Sequence, residues 1–367
     1  MKNVKKFIVY MLTLIMVIAS NTLPSSASPE KPIEVITLDK ASEMAINNST
    51  KLKLYDEKIS NAEKRLSYAV RVAEIRKNDS WHTDEYRKEV KTALELTPVQ
   101  KRNILMVLKL QKSEEEKSIR INVAKNYYDY LLKETQISDQ EKAIDRIKKN
   151  IETVKVQLTK GLVTKDALEK TELTLKTAEQ QYSKLQRDLD SICIQLNSML
   201  GRPIKTEIRL QSTVIPVKDS NFELDKLISI KKANSSQVLQ AANSEQEARI
   251  EFDIANYSST KEIPDGVDNA KNRLLDSSAD YKKTISDIEC NVLNDYNTLQ
   301  NLRDDIEISK YKVEVKNIEY QRAKIQYERG ITDFIKYNDA LQSLESVQME
   351  YENAKLDYYV AYEKFVN

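Results

Sequence analysis

The fold is decided by a short segment that occurs twice, as KVQLTKGL at residues 155–162 and as KIQYERGI at residues 324–331. The two copies align at an offset of 169 in residue number, and the same offset places Tyr127 on Tyr296. Earlier in each half the offset is 186, which places residues 38–40 on residues 224–226, both LDK. The chain therefore consists of two copies of one unit. The second offset exceeds the first by 17, so the first copy carries extra chain between about residues 71 and 120.

The apolar residues of each unit repeat with the period of a coiled coil. Isoleucine or leucine recurs every seven residues before the first glycine, and the second copy repeats the pattern with aromatic members: Ile137, Ile144, Ile151 and Leu158, against Ile306, Val313, Tyr320 and Tyr327. A sustained seven-residue repeat predicts helices packed along a seam. The fold class is therefore all-α, with elongated antiparallel coiled-coil hairpins in two tandem repeats.

One helix carries a second apolar row on its opposite face. The row contains Tyr311, Val315, Ile318 and Ile325. A helix with apolar rows on two faces has neighbours on both sides. An isolated hairpin has no need of that second row, whereas a curved or closed sheet of helices does.

Composition excludes several other classes of protein. The 367 residues include only 4 Gly and 1 His, with 31% charged residues. Strand-rich folds need glycine at their turns, and nucleotide-binding loops need closely spaced glycines. The single His82 excludes most histidine-based metal sites and catalytic triads. We expect no enzyme activity, no cofactor and no bound metal.

The four glycines mark the breaks between helices. Gly161 and Gly330 are predicted to lie at hairpin tips near residues 159–164 and 328–333, with Thr164 and Asp333 as N-caps of the returning helices. Gly201 is a helix stop, and Gly266 follows Pro264-Asp265 in a predicted turn. Helices of about 35–40 residues would reach roughly 52–60 Å.

The predicted organisation begins with a secretory signal peptide at residues 1–27. Three lysines precede the apolar stretch 7–19, and Ser25-Ser26-Ala27 offers small residues for cleavage. An uncleaved membrane anchor is the alternative. The first helical repeat covers residues 34–203, a linker covers 204–217 and the second repeat covers 218–367. Without the three signal-peptide lysines, 55 basic residues face 57 acidic ones, a near balance that does not suggest a nucleic-acid partner.

The two cysteines enter an oxidising space if the chain is exported. Cys193 follows Gly161 by 32 positions, and Cys290 precedes Gly330 by 40. With level tips and a rise of about 1.5 Å per residue, they are about 12 Å apart along the helix axes, too far for a disulfide. We expect both to be buried seam residues.

With this pattern the chain resembles the TolC-type outer-membrane efflux protein family over nearly its whole exported part. Four features carry the resemblance, all but the last recurring in the second half: the opening at residues 38–69 with Asn47-Asn48, the hairpin start at Tyr127-Tyr128-Asp129, the tip at Gly161-Leu162-Val163-Thr164 and the close at residues 196–203. The resemblance implies a homotrimer whose helices form a tunnel. It also implies a membrane-fusion adaptor bound at the tips, linked to an inner-membrane pump.

Two departures from the family pattern limit what the resemblance implies. The segments 71–120 and 256–280, where strands of the membrane barrel would leave each unit, are polar and lack the alternation that membrane strands require. We therefore predict that the barrel strands are absent, which suits a bacterium without an outer membrane. Six residues after each tip glycine, where an acidic gate residue is usual, stand Ala167 and Lys336. Asp166 and Asp339 lie nearby as candidate gate acids, and solvated surface acids are the alternative.

The candidate functional site is the pair of tips, which consist of Lys160, Gly161, Leu162 and Val163, with Arg329, Gly330 and Ile331. Apolar residues at a tip either dock onto adaptor helices or staple the hairpin end internally. Tyr127, Tyr128 and Tyr130 either pack in the seam, which we favour, or line a lumen.

The predicted function is an exported, oligomeric efflux conduit of the cell envelope. The family at large lies in the outer membrane, and the cell wall or extracytoplasmic space is expected here. The alternative is a coiled-coil scaffold or interaction protein of the envelope that has kept the fold without the conduit.

Overall fold

The computed structural model describes residues 35–80, 83–219, 221–258 and 264–367. The predicted signal peptide, residues 1–27, and His82 lie outside the described residues. The described part of the first repeat begins with strand β1 (Val35–Ile36), and helices α1 (Leu38–Asn48) and α2 (Thr50–Arg76) follow. After α2 come α3 (Asp84–Lys91), a π-helical turn (Thr92–Leu96), α4 (Thr97–Thr159) and α5 (Lys165–Leu200).

The second repeat has the same order of helices without the short one. Strand β2 (Arg209–Leu210) pairs in parallel with β1. It is followed by α6 (Leu224–Ala233), α7 (Ser236–Ser258), α8 (Pro264–Glu328) and α9 (Phe334–Val366). The predicted all-α fold of two tandem hairpin units is confirmed. In the described part of the chain, no helix is long and apolar enough to cross a membrane.

The long helices of the two repeats are longer than the sequence suggested. Helix α4 has 63 residues and α8 has 65, so the predicted length of about 35–40 residues holds only for the returning helices, which have 36 and 33. The long helices extend about 95 Å at about 1.5 Å per residue. The prediction was wrong because no proline or glycine interrupts α4 after Pro98 or α8 after Gly266. Gly266 lies in the first turn of α8 and not in a separate turn.

The additional residues of the first repeat form α3 and its flanking turns. Residues 73–94 of the first repeat correspond to residues 259–263 of the second at the two offsets, which accounts for the extra chain. The segments 71–120 and 256–280 are helical over 84–120 and 264–280. The helix-prone reading of residues 71–120 is therefore confirmed over 84–120, whereas the turn predicted at residues 264–266 is helical.

The π-helical turn between α3 and α4 has a local cause. Pro98 stands at the start of α4 and has no N–H group to donate to the carbonyl of Leu94. Just before Pro98 the helical turn is wider by one residue, because the Thr97 N–H donates to the Thr92 carbonyl, five residues back. Such π-turns inside helices are local insertions that shift the register of side chains. Here the turn connects α3 to α4.

Helix α4 lies in the middle of a layer of helices. Toward the tips α4 packs between α5 and α9, and α9 packs against α8. Toward the other end α4 packs between α2 and α7, and α7 packs against α8. The layer therefore has two open edges, one formed by α5 and α2 and the other formed by α8.

Buried tyrosines anchor the segment that joins the repeats. The Tyr127 hydroxyl contacts the carbonyl oxygens of Gln211 at 2.7 Å and Ile36 at 3.0 Å. The Tyr130 hydroxyl contacts the Glu134 carboxylate at 2.8 Å and the Ile208 carbonyl at 3.0 Å, and burial raises its pKa. Tyr127, Tyr128 and Tyr130 are 0–4% exposed. Packing, and not a lumen, is therefore their role in this chain.

Two segments that carried the family resemblance meet in space. The Asn48 side chain donates to the carbonyl oxygens of Ser198 and Met199 in the last turn of α5. Gly201 ends that helix with φ +71°, and a Cβ there would lie 2.5 Å from the Asn48 side chain. The amide thus supplies partners to carbonyls that a helix end leaves free. It can do so only because residue 201 has no side chain.

Both cysteines are free thiols. The absence of a bond between them agrees with the predicted axial separation. Cys193 is half-buried beside Tyr130 and Leu196, and burial raises the pKa of its thiol. Cys290 is exposed on α8, so its predicted burial in the seam was wrong. The error has a geometric reason: Cys290 lies on the outward side of α8, away from α7 and α9.

Candidate docking surface at the hairpin tips

The two tips have the same backbone geometry. Gly161 and Gly330 both have φ +70°, a left-handed conformation that glycine adopts without strain. The N–H of Leu162 donates to the Gln157 carbonyl, and the N–H of Ile331 donates to the Gln326 carbonyl, at 2.9 and 2.8 Å. These bonds are those of a Schellman motif, which closes a helix end and reverses the chain.

The returning helices begin with side-chain caps. The Thr164 hydroxyl accepts from the Ala167 N–H at 3.4 Å, and the Asp333 carboxylate accepts from the Lys336 N–H at 2.8 Å. Such a bond satisfies one of the N–H groups that the first helical turn leaves free. Both tips are therefore closed by a glycine on one side and a cap on the other, which fixes the connecting residues.

The apolar residue after each tip glycine faces solvent. Leu162 is 70% exposed and Ile331 is 69% exposed. Lys160 and Arg329 precede the glycines and are exposed too, whereas Val163 is half-buried. Leu162 and Ile331 thus do not staple their own hairpins. Each tip presents one cation and one large apolar side chain to whatever lies beyond it.

The two candidate gate acids lie on the surface close to the tips. Asp166 is 69% exposed and pairs with Lys170 at 2.8 Å, which raises the pKa of that lysine. Asp339 is exposed on α9. Both acids are exposed in the single chain, and a gate role for them stays a prediction.

The two tips lie at the same level because α4 and α9 are locked in register. The Arg146 guanidinium contacts the Glu345 carboxylate at 3.2 Å. Arg146 precedes Gly161 by as many positions as Glu345 follows Gly330. Burial raises the pKa of Glu345, and the charge of Arg146 opposes that rise. Because the pair joins points equally far from the two glycines, Leu162 and Ile331 belong to one end surface.

An aromatic cluster beneath the second tip joins the two hairpins. Tyr327 stacks on Tyr337 with ring centroids 5.0 Å apart, and Phe334 contacts both rings. Phe334 also packs against the core of the first hairpin, formed by Ile144, Ile147, Ile151 and Ala178. Phe334 was not among the residues predicted from the sequence. Its signal was an aromatic residue at the first position of a helix, where the first repeat has Lys165.

The open edge at α8 is apolar near the tips. Tyr311, Val315, Ile318 and Ile325 are 68%, 37%, 61% and 48% exposed. They form the second row found in the sequence, and they lie opposite the face that packs on α9. The other open edge, on α5, exposes Leu173 at 65% and Ile194 at 48%. Each edge of the layer is therefore unoccupied by any described part of the chain.

The described residues hold no group of three or more histidine, cysteine or carboxylate side chains able to bind a metal ion. The exposed features of the tips and edges are apolar side chains and single charges. Their arrangement can bind other helices. It offers no nucleophile beside a base in the part of the chain that the structure describes.

A family model described as outer membrane efflux protein matches residues 262–366. These residues cover α8, with its open apolar edge, the second tip and α9. No curated protein matches the chain in sequence.

Solved structures of outer-membrane channels match the chain over nearly its whole length. The Campylobacter jejuni CmeC outer membrane channel has a TM-score of 0.70 at 12% identity, over 90% of this chain and 85% of that one. VceC, an outer membrane protein of Vibrio cholerae, has 0.66 at 12%, over 90% and 95%. The open-state Neisseria gonorrhoeae MtrE outer membrane channel has 0.65 at 12%, over 90% and 88%. As the TolC-type resemblance predicted, the second repeat matches the outer membrane efflux protein family, and the chain has the fold of these channels.

Proposed function

We propose that copies of this chain assemble side by side into an α-helical efflux conduit of the cell envelope, which docks through its tips onto a membrane-fusion adaptor of a multi-component transporter. One observation carries the proposal. The chain is a layer of helices with level tips and two open edges, and the edge on α8 is apolar. Exposed apolar faces of that kind mark interaction surfaces. The trimeric state is the one that the family resemblance implies.

The packing inside one chain provides the register for packing between chains. By the repeat, α8 corresponds to α4 and α5 corresponds to α9. The contact of α4 with α9 therefore serves as a template for the contact of α8 with α5 of the next copy. In that template Arg146 and Glu345, which are equally far from their tip glycines, face each other.

The register brings complementary residues together at the two open edges. Ile318 precedes Gly330 by as many positions as Leu173 follows Gly161, so two exposed apolar side chains meet. Asp304 and Arg187 are likewise equally far from the same two glycines, and they have opposite charges. Both are exposed, and neither has an ion-pair partner in the described chain. Such pairs fix register and partner choice between helices.

A charge-reversal experiment tests the assembly. Asp304→Arg and Arg187→Asp each place like charges opposite one another between copies, and we expect association to weaken at least about tenfold, or by about 1.4 kcal/mol. The double variant restores the pair in every contact and should restore association. Asp305→Arg serves as the control, because it makes the same change of charge at the neighbouring residue, which lies on a different side of α8 from Asp304. Molar mass from light scattering over a concentration series measures each variant.

A monomer at all concentrations, or a double variant no better than the singles, would contradict this assembly. A stable monomer would instead favour the envelope scaffold without conduit activity.

A second experiment tests adaptor docking separately. Leu162→Asp with Ile331→Asp removes both exposed apolar side chains at the tips, and it leaves the open edges intact. We expect an affinity pull-down of envelope proteins to recover an adaptor and its pump with the native chain and to lose both with this variant. Val214→Asp is the matched control, because Val214 is 77% exposed in the segment between the repeats. Recovery of the adaptor by the tip variant would refute docking through the tips.

A further inference from the structure

The additional segment of the first repeat lines one wall of a groove. The groove lies between α2 on one side and α3, the π-helical turn and the start of α4 on the other, at the end of the molecule opposite the tips. Its volume is about 810 Å³. This size is in the range of pockets that hold small molecules.

The middle of the groove is apolar. Ala69 is 4% exposed at its floor, and Val72 and Ala93 line the walls. The ring of Tyr68 lies at the rim and is 62% exposed. The Arg65 and Lys101 side chains border a smaller adjoining cavity of about 190 Å³ as well. Apolar surface thus continues on both sides of these two cations.

The charges around the groove are mostly positive and unpaired. Lys64, Arg65, Lys88 and Lys101 have no carboxylate oxygen within 4.0 Å in the described part of the chain. The lining acids are Glu85 and Glu89, both on α3, and Glu89 lies 3.9 Å from the fifth cation, Arg76. The groove therefore carries an excess of positive charge, although the whole chain is nearly neutral.

This arrangement departs from the rest of the contact between α2 and α4. Closer to the tips the two helices are joined by three ion pairs, Lys51–Glu115, Asp56–Lys112 and Glu63–Lys109, with distances of 2.5–2.9 Å. At the groove the pairing stops, and cations on α2 face Lys101 on α4. Like charges placed opposite each other destabilise the contact. A bound anion would relieve that repulsion.

We propose that this groove binds an anionic amphiphile of small-molecule size, of the class of long-chain carboxylates. The carboxylate lies between Arg65 and Lys101, where two donors with positive charge can bind it from both helices. The apolar chain lies along Val72 and Ala93, in contact with Tyr68. The size of the groove and its apolar centre favour this ligand over a tail-less anion, which would leave the floor exposed to water.

Isothermal titration of the native full chain with dodecanoate tests the proposal. We expect saturable binding that weakens as salt concentration rises, because the carboxylate contacts are partly exposed to solvent. Acetate lacks the chain and dodecyltrimethylammonium has the opposite charge, so both should bind at least about tenfold more weakly. Equal binding of the cationic amphiphile would overturn the proposal.

Variants locate the site. Arg65→Gln with Lys101→Gln should weaken dodecanoate binding at least about tenfold. Arg102→Gln is the matched control, because Arg102 is exposed beside Lys101 but lies outside the groove, and it should leave binding unchanged. Unchanged affinity in the Arg65/Lys101 variant would refute the site.

Lys101→Glu separates a binding role from a structural one. The new carboxylate faces Arg65 and Lys64, so the thermal midpoint should rise while dodecanoate binding is lost. A lower midpoint with retained binding would contradict the proposal. Flotation with phosphatidylglycerol vesicles and binding to poly-glutamate complete the test. Binding to either of these with no binding of free dodecanoate would show that a membrane or an acidic polymer, and not a free amphiphile, is the ligand.

Discussion

The two repeats share a backbone fold, but equivalent rows of side chains on their long helices, α4 and α8, differ in character. On α4 this row holds Lys142, Arg146 and Lys149; Arg146 pairs with Glu345 of α9, and Lys142 and Lys149 are exposed. At the equivalent positions α8 has Tyr311, Val315 and Ile318, and nothing in the described chain covers them. The row on α4 is polar, whereas the same row on α8 is apolar. Exposed apolar side chains in a row mark an interaction surface.

The tips show a second difference between the repeats. Both close with the same hydrogen bonds, but the first packs the aliphatic Leu168 against its core, and the second stacks Tyr327 on Tyr337. Phe334 extends the aromatic packing to the first hairpin. The comparison indicates that backbone closure was retained after duplication, while side chains diverged to join the hairpins to each other.

The largest expected effect is on the open face of α8. Ile318→Asp places a carboxylate in the proposed contact with Leu173 of the next copy. Burying an unpaired charge at an interface costs about 2–5 kcal/mol, so association should weaken at least about thirtyfold. The matched control is Lys149→Asp, which lies at the equivalent position of α4 and is exposed within the chain. Sedimentation equilibrium measures both; equal association of Ile318→Asp and the native chain would show that the apolar face has another purpose.

The glycines distinguish the tips from the close of the first repeat. Gly201→Ala should lower the free energy of unfolding by about 2–4 kcal/mol, because a left-handed conformation and a 2.5 Å contact with Asn48 oppose the new Cβ. Gly161→Ala and Gly330→Ala meet nothing within 4 Å, so each should cost only about 1 kcal/mol. Urea unfolding of the three variants checks the order. A cost at Gly201 no larger than at the tips would mean that Asn48 moves aside freely.

Phe334 gives the next smaller effect. Phe334→Ala removes a half-buried ring from the contact between the hairpins and should lower the free energy of unfolding by about 2 kcal/mol. Its counterpart in the first repeat, Lys165, is 84% exposed, and Lys165→Ala should change stability by less than about 0.5 kcal/mol. Chemical denaturation measures the pair. Similar values for both substitutions would contradict the bridging role of the ring.

The sequence predicted the features that depend on local chemistry and on the repeat. Glycine, capping residues and the seven-residue period are properties of short segments, so the tips and hairpins followed from them. The lengths of α4 and α8 could not be predicted in the same way, because a polar segment can form either a helix or a loop and its composition does not distinguish the two. The exposure of Cys290 was missed for a related reason: the period alone does not say which of two faces on α8 a residue joins.

Contacts between distant segments could not be predicted from the sequence. Asn48 and Gly201 both carried the family resemblance, yet only the structure brings the amide to the end of α5. The groove beside α3 is a further case. The extra chain of the first repeat was evident from the offsets, but the meeting of Arg65 with Lys101 depends on how α2 crosses α4. The pattern of a single sequence does not indicate which distant residues come into contact.

The smallest expected effect is on the pH dependence of stability, which should involve Glu345 on α9 but not Glu172 on α5. Burial raises the pKa of Glu345 above its ordinary value of 4.5. At a pH between the ordinary pKa and the raised pKa, the folded chain therefore holds a proton that the unfolded chain has released. Stability must therefore fall as pH rises through this window.

Glu345→Gln cannot ionise, and its thermal midpoint should fall less than that of the native chain as pH rises from 4.5. Glu172→Gln, which removes an exposed acid on α5, should leave the native slope unchanged. Calorimetric scans between about pH 4 and 7 measure the difference. Parallel slopes for Glu345→Gln and the native chain would mean that Arg146 fully offsets the burial of the carboxylate, and that the ion pair locks the register of the tips without a pH-dependent cost.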